Sequence, residues 1–429
     1  MSKFIGVDTS NIDNVSGFFV TQGGGISPVP ATTDSGVLLC PYNVQVARPW
    51  SAATFEDYQN PVHMFQLADF TGVKKIANSI YHMGILLNNG NLYTSGYTNS
   101  AYFGLSSADA IDAVNNGNFN LSLSNVKTFG CTIQGFMAIK NDGTLWFAGS
   151  VSNYLNSAGL GGGSTISTYG WTQIGTDTDW HDLDVYPGYP YLALAAKGAS
   201  GSRYLYAAGY SANYQTGQGV TSPSFFSFTR VKSAASTDLT ESFDKVKVSY
   251  ASCLAITETG KLFSWGENRR GQLGTGNSTD KPYATQVGSD TDWDDCWVQR
   301  YGGWAKKTDG TMYMSTNLSS WRIEPNTNAT FTQIGTDTDY EDLAVFANDS
   351  SSFDYTVFAK KNGSWYGSTL GHPAYSWVGS SSLSATAEGS WVALNTMLQE
   401  NDITGTVDLI HCFESSLSNN EAAIIFAVS

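Results

Sequence analysis

Gly260-Lys261-Leu262-Phe263-Ser264-Trp265-Gly266 is the stretch on which the reading of this chain turns. Its form is Gly-x-hydrophobic-aromatic-x-x-Gly, and it returns as Gly90-Asn91-Leu92-Tyr93-Thr94-Ser95-Gly96 and Gly143-Thr144-Leu145-Trp146-Phe147-Ala148-Gly149. Arg203-Tyr204-Leu205-Tyr206-Ala207-Ala208-Gly209 keeps all but the first glycine, and Gly310-Thr311-Met312-Tyr313 and Gly363-Ser364-Trp365-Tyr366 keep the first half. A further copy starts at Gly36-Val37-Leu38-Leu39-Cys40. A period of about 50 to 60 residues, filled with short apolar runs and Gly-rich turns, points to a propeller blade rather than a helical solenoid.

An apolar run precedes the cassette in most units: Gly84-Ile85-Leu86-Leu87, Phe136-Met137-Ala138-Ile139, Tyr191-Leu192-Ala193-Leu194, Cys253-Leu254-Ala255-Ile256 and Thr356-Val357-Phe358-Ala359. Run and cassette are joined by polar turns such as Asn141-Asp142-Gly143 and Thr308-Asp309-Gly310. Asp-Gly between two apolar strands is a strong hairpin signal, because both residues tolerate positive φ. A third piece follows in three units as Thr172-Gln173-Ile174-Gly175-Thr176-Asp177-Thr178-Asp179-Trp180, as residues 285–293 and as residues 332–340. It reads as an outer strand and the passage into the next blade.

The last apolar run, Ala422 to Val428, has no cassette after it, and the cassette at Gly36 has no run before it. The two ends are therefore expected to pair within one sheet, which removes exposed sheet edges. The expected architecture is all-β: a seven-bladed β-propeller of four-stranded antiparallel blades, closed by pairing of N- and C-terminal strands. Residues 1–31 form an N-terminal arm and residues 32–429 the propeller, with a closing blade from 32–73 plus 405–429.

Composition narrows the function classes. Charged residues make up 14% of the 429, well below the roughly 25% of ordinary globular chains. Formal net charge is −15, with 22 Lys and Arg scattered mostly singly. Nucleic-acid binding relies on clustered cations against phosphates, so no nucleic-acid partner is expected. The start, Met1-Ser2-Lys3-Phe4-Ile5-Gly6-Val7-Asp8, has no apolar leader core, and no run approaches the ~20 residues of a membrane span, so no export and no membrane insertion are expected. The five cysteines, Cys40, Cys131, Cys253, Cys296 and Cys412, show no metal or redox spacing and read as core packing.

The run Leu262-Phe263-Ser264-Trp265-Gly266-Glu267-Asn268-Arg269-Arg270-Gly271-Gln272-Leu273-Gly274-Thr275-Gly276 resembles the repeat of the regulator of chromosome condensation family. Fragments recur as Phe103-Gly104-Leu105, Ala158-Gly159-Leu160-Gly161 and Thr216-Gly217-Gln218-Gly219. The resemblance implies seven-bladed propellers of four-stranded blades, and it is an architectural one; the founding member's nucleotide exchange on a small GTPase does not transfer with it. The Gln-Ile/Val-Gly-Thr/Ser-Asp-Thr-Asp-Trp variant resembles, more loosely, the repeats of bacterial and bacteriophage structural proteins.

Candidate chemistry is sparse. Asp177 with Asp179, Asp290 with Asp292 and Asp337 with Asp339 have a spacing seen in calcium loops, but such loops need more oxygens. Asx capping of their own turns is the expected role. Asp142-Gly143-Thr144-Leu145-Trp146 is similar to the sialidase turn but off by one residue, and seven arginines offer no evident trio for a substrate carboxylate. The five histidines show no HExxH, and neither a nucleophile elbow nor a P-loop occurs. The expectation is a non-enzymatic protein without cofactor, metal or catalytic residues.

What remains is a platform for binding. Trp and Arg concentrate at the energetic centres of interfaces, so Trp321, Arg322, Arg269 and Arg270 are the candidate partner-binding residues. The expected role is a bacteriophage virion structural protein on tail or head, assembled in the host cytoplasm. Its partners would be other virion proteins or a host-surface receptor, with oligomerisation through virion symmetry. The alternative is an intracellular binding protein acting on a GTPase or another globular partner.

Overall fold

The computed structural model describes residues 36–42, 65–68, 70–79, 82–96, 119–132, 135–150, 167–188, 192–221, 225–316, 329–347, 355–370, 392–394, 406–414 and 422–428. The N-terminal arm, residues 1–31, lies outside them. The described chain is all-β, in four-stranded antiparallel sheets of the propeller type.

Each regular blade is a meander. In one, the strands are Phe243–Val248, Ser252–Thr257, Leu262–Gly266 and Lys281–Gln286, paired in that order. The apolar run is thus the second strand, the cassette the third, and the strand before the Asp-Thr-Asp passage the outer fourth. Trp180 and Trp293 each begin the first strand of the next sheet.

The expectation of a seven-bladed ring closed on itself needs correction. Among the described residues six blades are meanders of four consecutive strands, not seven. The remaining four-stranded sheet is composite, in the order Phe65–Ala68, Gly36–Tyr42, Ala422–Val428, Val407–Glu414, and a separate two-stranded hairpin is formed by Lys232–Ala234 and Thr237–Asp238. Within it Gly36 to Tyr42 pair with Val428 to Ala422 in continuous antiparallel register. No sheet closes: a strip of four strands is too narrow to curl onto itself and keeps two edges. The chain divides into two compact units, Met1–Asn125 with Glu341–Ser429, and Val126–Tyr340.

In the 126–340 unit the core lies between consecutive sheets, and strand alternation feeds two clusters at once. Along Leu192–Lys197, Leu192, Leu194 and Ala196 pack with Phe243, Val246, Phe263 and Trp265. Ala193 and Ala195 pack on the other side with Met137, Ile139, Phe147 and Trp180. Both faces are buried, which is why these strands read as unbroken apolar runs rather than as alternation. The cassette aromatic has a repeated place as well. Tyr206 and Phe228 lie 6.0 and 5.1 Å from Trp180, Tyr313 and Phe331 lie 5.1 and 5.7 Å from Trp293, and Tyr93 and Phe119 lie 4.8 and 6.0 Å from Phe70.

The first glycine of the cassette has a steric reason. Gly143, Gly260 and Gly310 have φ of +77°, +74° and +80°, and a Cβ there would stand 2.0, 2.3 and 2.2 Å from the carbonyl oxygens of Thr178, Thr291 and Thr338. Those threonines belong to the Thr/Ser-Asp-Thr-Asp passage of the same unit. The passage is held in place because Trp180, Trp293 and Tyr340 N–H donate to the carbonyls of Gly143, Gly260 and Gly310. Gly288, at φ +61°, has open space around its Cβ position. Gly260→Ala combines backbone strain with a backbone collision, whereas Gly288→Ala carries the strain alone. The expected loss in urea denaturation is about 1 kcal/mol for Gly288→Ala and about 2 kcal/mol or more for Gly260→Ala; equal losses would remove the steric role of the passage.

Candidate functional site

The Asp-Thr-Asp turns hold lysines. Lys197 Nζ lies 2.6 Å from Asp177 Oδ2 and 3.9 Å from Asp179 Oδ1, and 5.3 and 5.6 Å from the ring centres of Trp180 and Tyr206. Lys307 repeats this at 2.8 Å from Asp290, 3.1 Å from Asp292, and 5.1 Å from Trp293 and from Tyr313. Burial opposes the charge on Lys307, and the Asp290 and Asp292 hydrogen bonds outweigh it, so its pKa is raised. The acids close an ion pair with a cation–π component rather than an Asx turn of their own. Among the described residues no three His, Cys, Asp or Glu side chains are grouped to share a metal ion. The Asx role falls instead to Asp142 and Asp309, whose Oδ1 atoms accept from the N–H and Oγ1 of Thr144 and Thr311. Those bonds hold both carboxyls below their ordinary pKa.

First strands of neighbouring sheets meet edge to edge, and carboxylates satisfy the unpaired amides. Asp182 Oδ2 accepts from Val246 N at 3.2 Å and Asp184 Oδ2 from Val248 N at 2.9 Å. Lys245 Nζ reaches Asp295 Oδ2 at 2.9 Å, and Lys306 Nζ reaches Asp294 Oδ2 at 2.7 Å. Lys127 Nζ donates to His181 Nδ1 at 3.1 Å, which places the ring proton on Nε2, donated to Asp244 Oδ1 at 3.1 Å. Arg203 Nη1 then bridges Asp244 at 3.2 Å and Glu258 at 2.8 Å. These titratable groups are engaged with one another across three sheets. Burial pushes the Cys253 and Cys296 thiols up, so they stay protonated and inert in the core.

The Trp265-Gly266-Glu267-Asn268 turn is fixed from beneath. Asn268 is fully buried: its Nδ2 donates to Thr275 Oγ1 and to the carbonyls of Asn277 and Thr279, and its Oδ1 accepts from Leu273 N. Gln272 Oε1 accepts from Arg270 N at 2.9 Å, while its Nε2 donates to Ser252 Oγ and to the Arg300 carbonyl. A second copy sits in the preceding sheet, where Asn213 N donates to Gln215 Oε1 at 2.8 Å and Tyr214 takes the positive φ, 63°, that Gly271 takes at 71°. The copies are coupled, since Trp265 Nε1 donates to the Gln215 carbonyl at 2.9 Å.

Of the four expected binding residues, Arg269 and Arg270 stand on this turn, and Trp321 and Arg322 lie outside the described residues. The Arg269 side chain is 70% exposed, with Nε 3.1 Å from Glu267 Oε1. Arg270 lies over the Tyr301 ring at 6.0 Å, and Arg300 lies over Tyr250 at 4.3 Å and Tyr301 at 5.3 Å. Sequence reasoning missed Arg300, which belongs to none of the quoted cassettes; the available signal was its adjacency to Tyr301 in the turn between two apolar runs. It missed the lysine clamps too, although Lys197 and Lys307 both end an apolar run in units that carry Asp-Thr-Asp-Trp.

The sequence pattern of the Regulator of chromosome condensation (RCC1) repeat matches residues 259–303 and 243–272, the stretch that forms this turn and the strands around it. The chain carries RCC1-type repeats over residues 243–303, and its sheets are of the propeller type. Solved structures agree in fold. Prp20p from Saccharomyces cerevisiae, characterised with its binding properties to Gsp1p and histones, superposes with a TM-score of 0.62 at 12% identity, covering 93% of this chain and 92% of that one. Yeast RCC1 (Prp20) in its structure with Kap60 gives 0.60 at 13%, covering 93% and 90%, and human WBSCR16 gives 0.59 at 11%, covering 92% and 99%. At these identities the likeness is one of fold.

The network around Arg203 has a pH signature. Glu258 accepts hydrogen bonds from Ser242 Oγ, Gly201 N and Ser200 Oγ and faces Arg203, which together hold its pKa at about 2 against an ordinary 4.5. A depressed carboxylate stabilises the fold above its unfolded pKa, and that contribution is lost as pH falls through the folded value. Thermal midpoints of the protein are therefore expected to drop between about pH 4.5 and about pH 2. Glu258→Gln flattens that limb; a variant with an unchanged acid limb would contradict the assignment.

Proposed function

We propose that this chain is a protein-binding propeller that performs no chemistry of its own. The observation that carries the reading is the Glu267–Gln272 turn, which shows an exposed arginine on a loop whose every bend is fixed by the buried Asn268 and Gln272. A loop already held in one conformation loses little entropy on association, and arginine is a favoured interface centre. His181, Arg203, Asp244 and Glu258, and the Lys197, Lys245, Lys306 and Lys307 pairs of the same unit, are engaged in structural contacts rather than poised around a reacting centre. The likeness to Prp20p, known for its binding to Gsp1p and histones, supports a globular protein as the kind of partner.

A second reading, a bacteriophage virion component of head or tail assembled in the host cytoplasm, is favoured by the near-identical passages at 172–180, 285–293 and 332–340 in a chain of low charge density. One experiment addresses both. The full-length protein is cross-linked in extract of the cells that make it, the partner is identified by mass spectrometry, and the pair is reconstituted and titrated by calorimetry. A saturable complex with a globular protein is the expected result, and a virion protein as that partner, with the chain present in purified particles, decides for the second reading. Turnover of a small-molecule substrate, or no saturable complex, would overturn the binding role.

A further inference from the structure

The sequence holds three Asn-Gly pairs, Asn89-Gly90, Asn116-Gly117 and Asn362-Gly363, of which the second lies outside the described residues. The other two belong to the unit of residues 1–125 with 341–429, and each stands at the tip of a hairpin. Their amides differ. Gly90 is buried and its N–H donates to the Leu87 carbonyl at 2.9 Å, while Asn89 Oδ1 accepts from Asn91 N at 3.0 Å. Asn362 and Gly363 are both exposed, and the Gly363 N–H donates to a carboxylate, Glu341 Oε1, at 2.7 Å. At Gly143, Gly260 and Gly310 the glycine N–H goes, as at Gly90, to the backbone carbonyl of the residue three places before it.

Turn geometry explains why Gly363 departs from the others. Lys361 pairs with Ser364 across a two-residue loop, and Asn362 and Gly363 take φ of 48° and 74°, positive at both centres as a type I′ hairpin requires. Such a turn closes through the N–H of its fourth residue, so the N–H of the third is left for a side chain. Glu341, in the first strand of the same sheet, supplies the acceptor. No heavy atom lies within 4 Å of where a Gly363 Cβ would stand, so the nitrogen is unshielded from that side.

We propose that Asn362 is a self-deamidation site, with Glu341 as the base for attack of the Gly363 nitrogen on the Asn362 side-chain amide. Glu341 Oε1 takes the Gly363 N–H proton across a contact already at proton-transfer distance. The nitrogen bonds to Asn362 Cγ, the Cγ–Nδ2 bond breaks, and Nδ2 takes the proton back and leaves as ammonia. Attacker and target are neighbours in one chain, so no encounter has to be organised. Water then opens the succinimide at one or the other carbonyl and leaves aspartate or isoaspartate at position 362. Either product sets a new carboxylate near Glu341, and isoaspartate adds a carbon to the main chain where Lys361 and Ser364 are in register. The change is made once, to the chain's own turn, and turns over no substrate, so it is independent of the binding role.

The full-length protein is incubated in neutral buffer at physiological temperature and digested, and the peptides that span residues 362 and 89 are quantified as asparagine, aspartate and isoaspartate by mass spectrometry. Asn362 is expected to convert about tenfold or more faster than Asn89, with hydroxylamine cleaving the chain between residues 362 and 363 while the succinimide is present. Glu341→Gln keeps an acceptor oxygen but no base, and should slow Asn362 by about tenfold or more while Asn89 converts at the parental rate. A variant whose hairpin merely loosened would free the Asn362 torsions and react faster, so loss of the turn does not imitate the expected result. Matching thermal midpoints establish that parent and variant are equally folded. Conversion at Asn362 no faster than at Asn89, or an unchanged or raised rate in Glu341→Gln, would overturn the proposal.

Discussion

The structure of the 126–340 unit depends on the seating of each Thr/Ser-Asp-Thr-Asp passage on the first glycine of the cassette before it. At 2.0 to 2.3 Å from where a Cβ would be, the threonine carbonyl leaves room for glycine alone. The contact fixes the aromatic that follows the passage, Trp180, Trp293 or Tyr340, at the head of the next first strand by a hydrogen bond to the glycine carbonyl. At Trp180 and Trp293 the rest of the joint follows: a cassette ring and an outer-strand ring pack on the aromatic, and a lysine from the second strand of the next sheet lies over it between two aspartates. Two motifs that look independent along the chain are the two halves of one joint.

A sheet of four strands keeps two edges, and in this unit polar side chains deal with the first-strand edge. Asp182 and Asp184 accept from amides of the neighbouring first strand, so part of the acidity of the chain is a structural device and not a sign of metal or substrate. The arginines near Glu267 are supported on tyrosine rings.

Much of the fold was legible because its signals are local. The Asp-Gly turns, the apolar runs and the cassettes marked strands and hairpins through φ preference and burial on both faces, and the repeat at 259–276 carried the architecture. The pairing of Gly36–Tyr42 with Ala422–Val428 was legible from the unmatched run and cassette at the two ends, whereas blade count was not, because counting cassettes does not distinguish a continuous meander from a composite sheet. The role of the Asp-Thr-Asp acids was misread for a similar reason: their partner, Lys197 or Lys307, lies 20 or 17 residues away on another strand. Arg269 and Arg270 were visible as a pair, whereas Arg300 joins them only through folding and the tie from Gln272.

Amide hydrogen exchange tests the joint most directly. If the passage is seated on the cassette glycine, the N–H groups of Trp180 and Trp293 exchange as slowly as those in the strands Leu192–Lys197 and Leu262–Gly266, and Gly260→Ala releases Trp293 while Trp180 stays protected. Fast exchange of Trp180 and Trp293 in the parent protein, at the rate of open turns, would contradict the account.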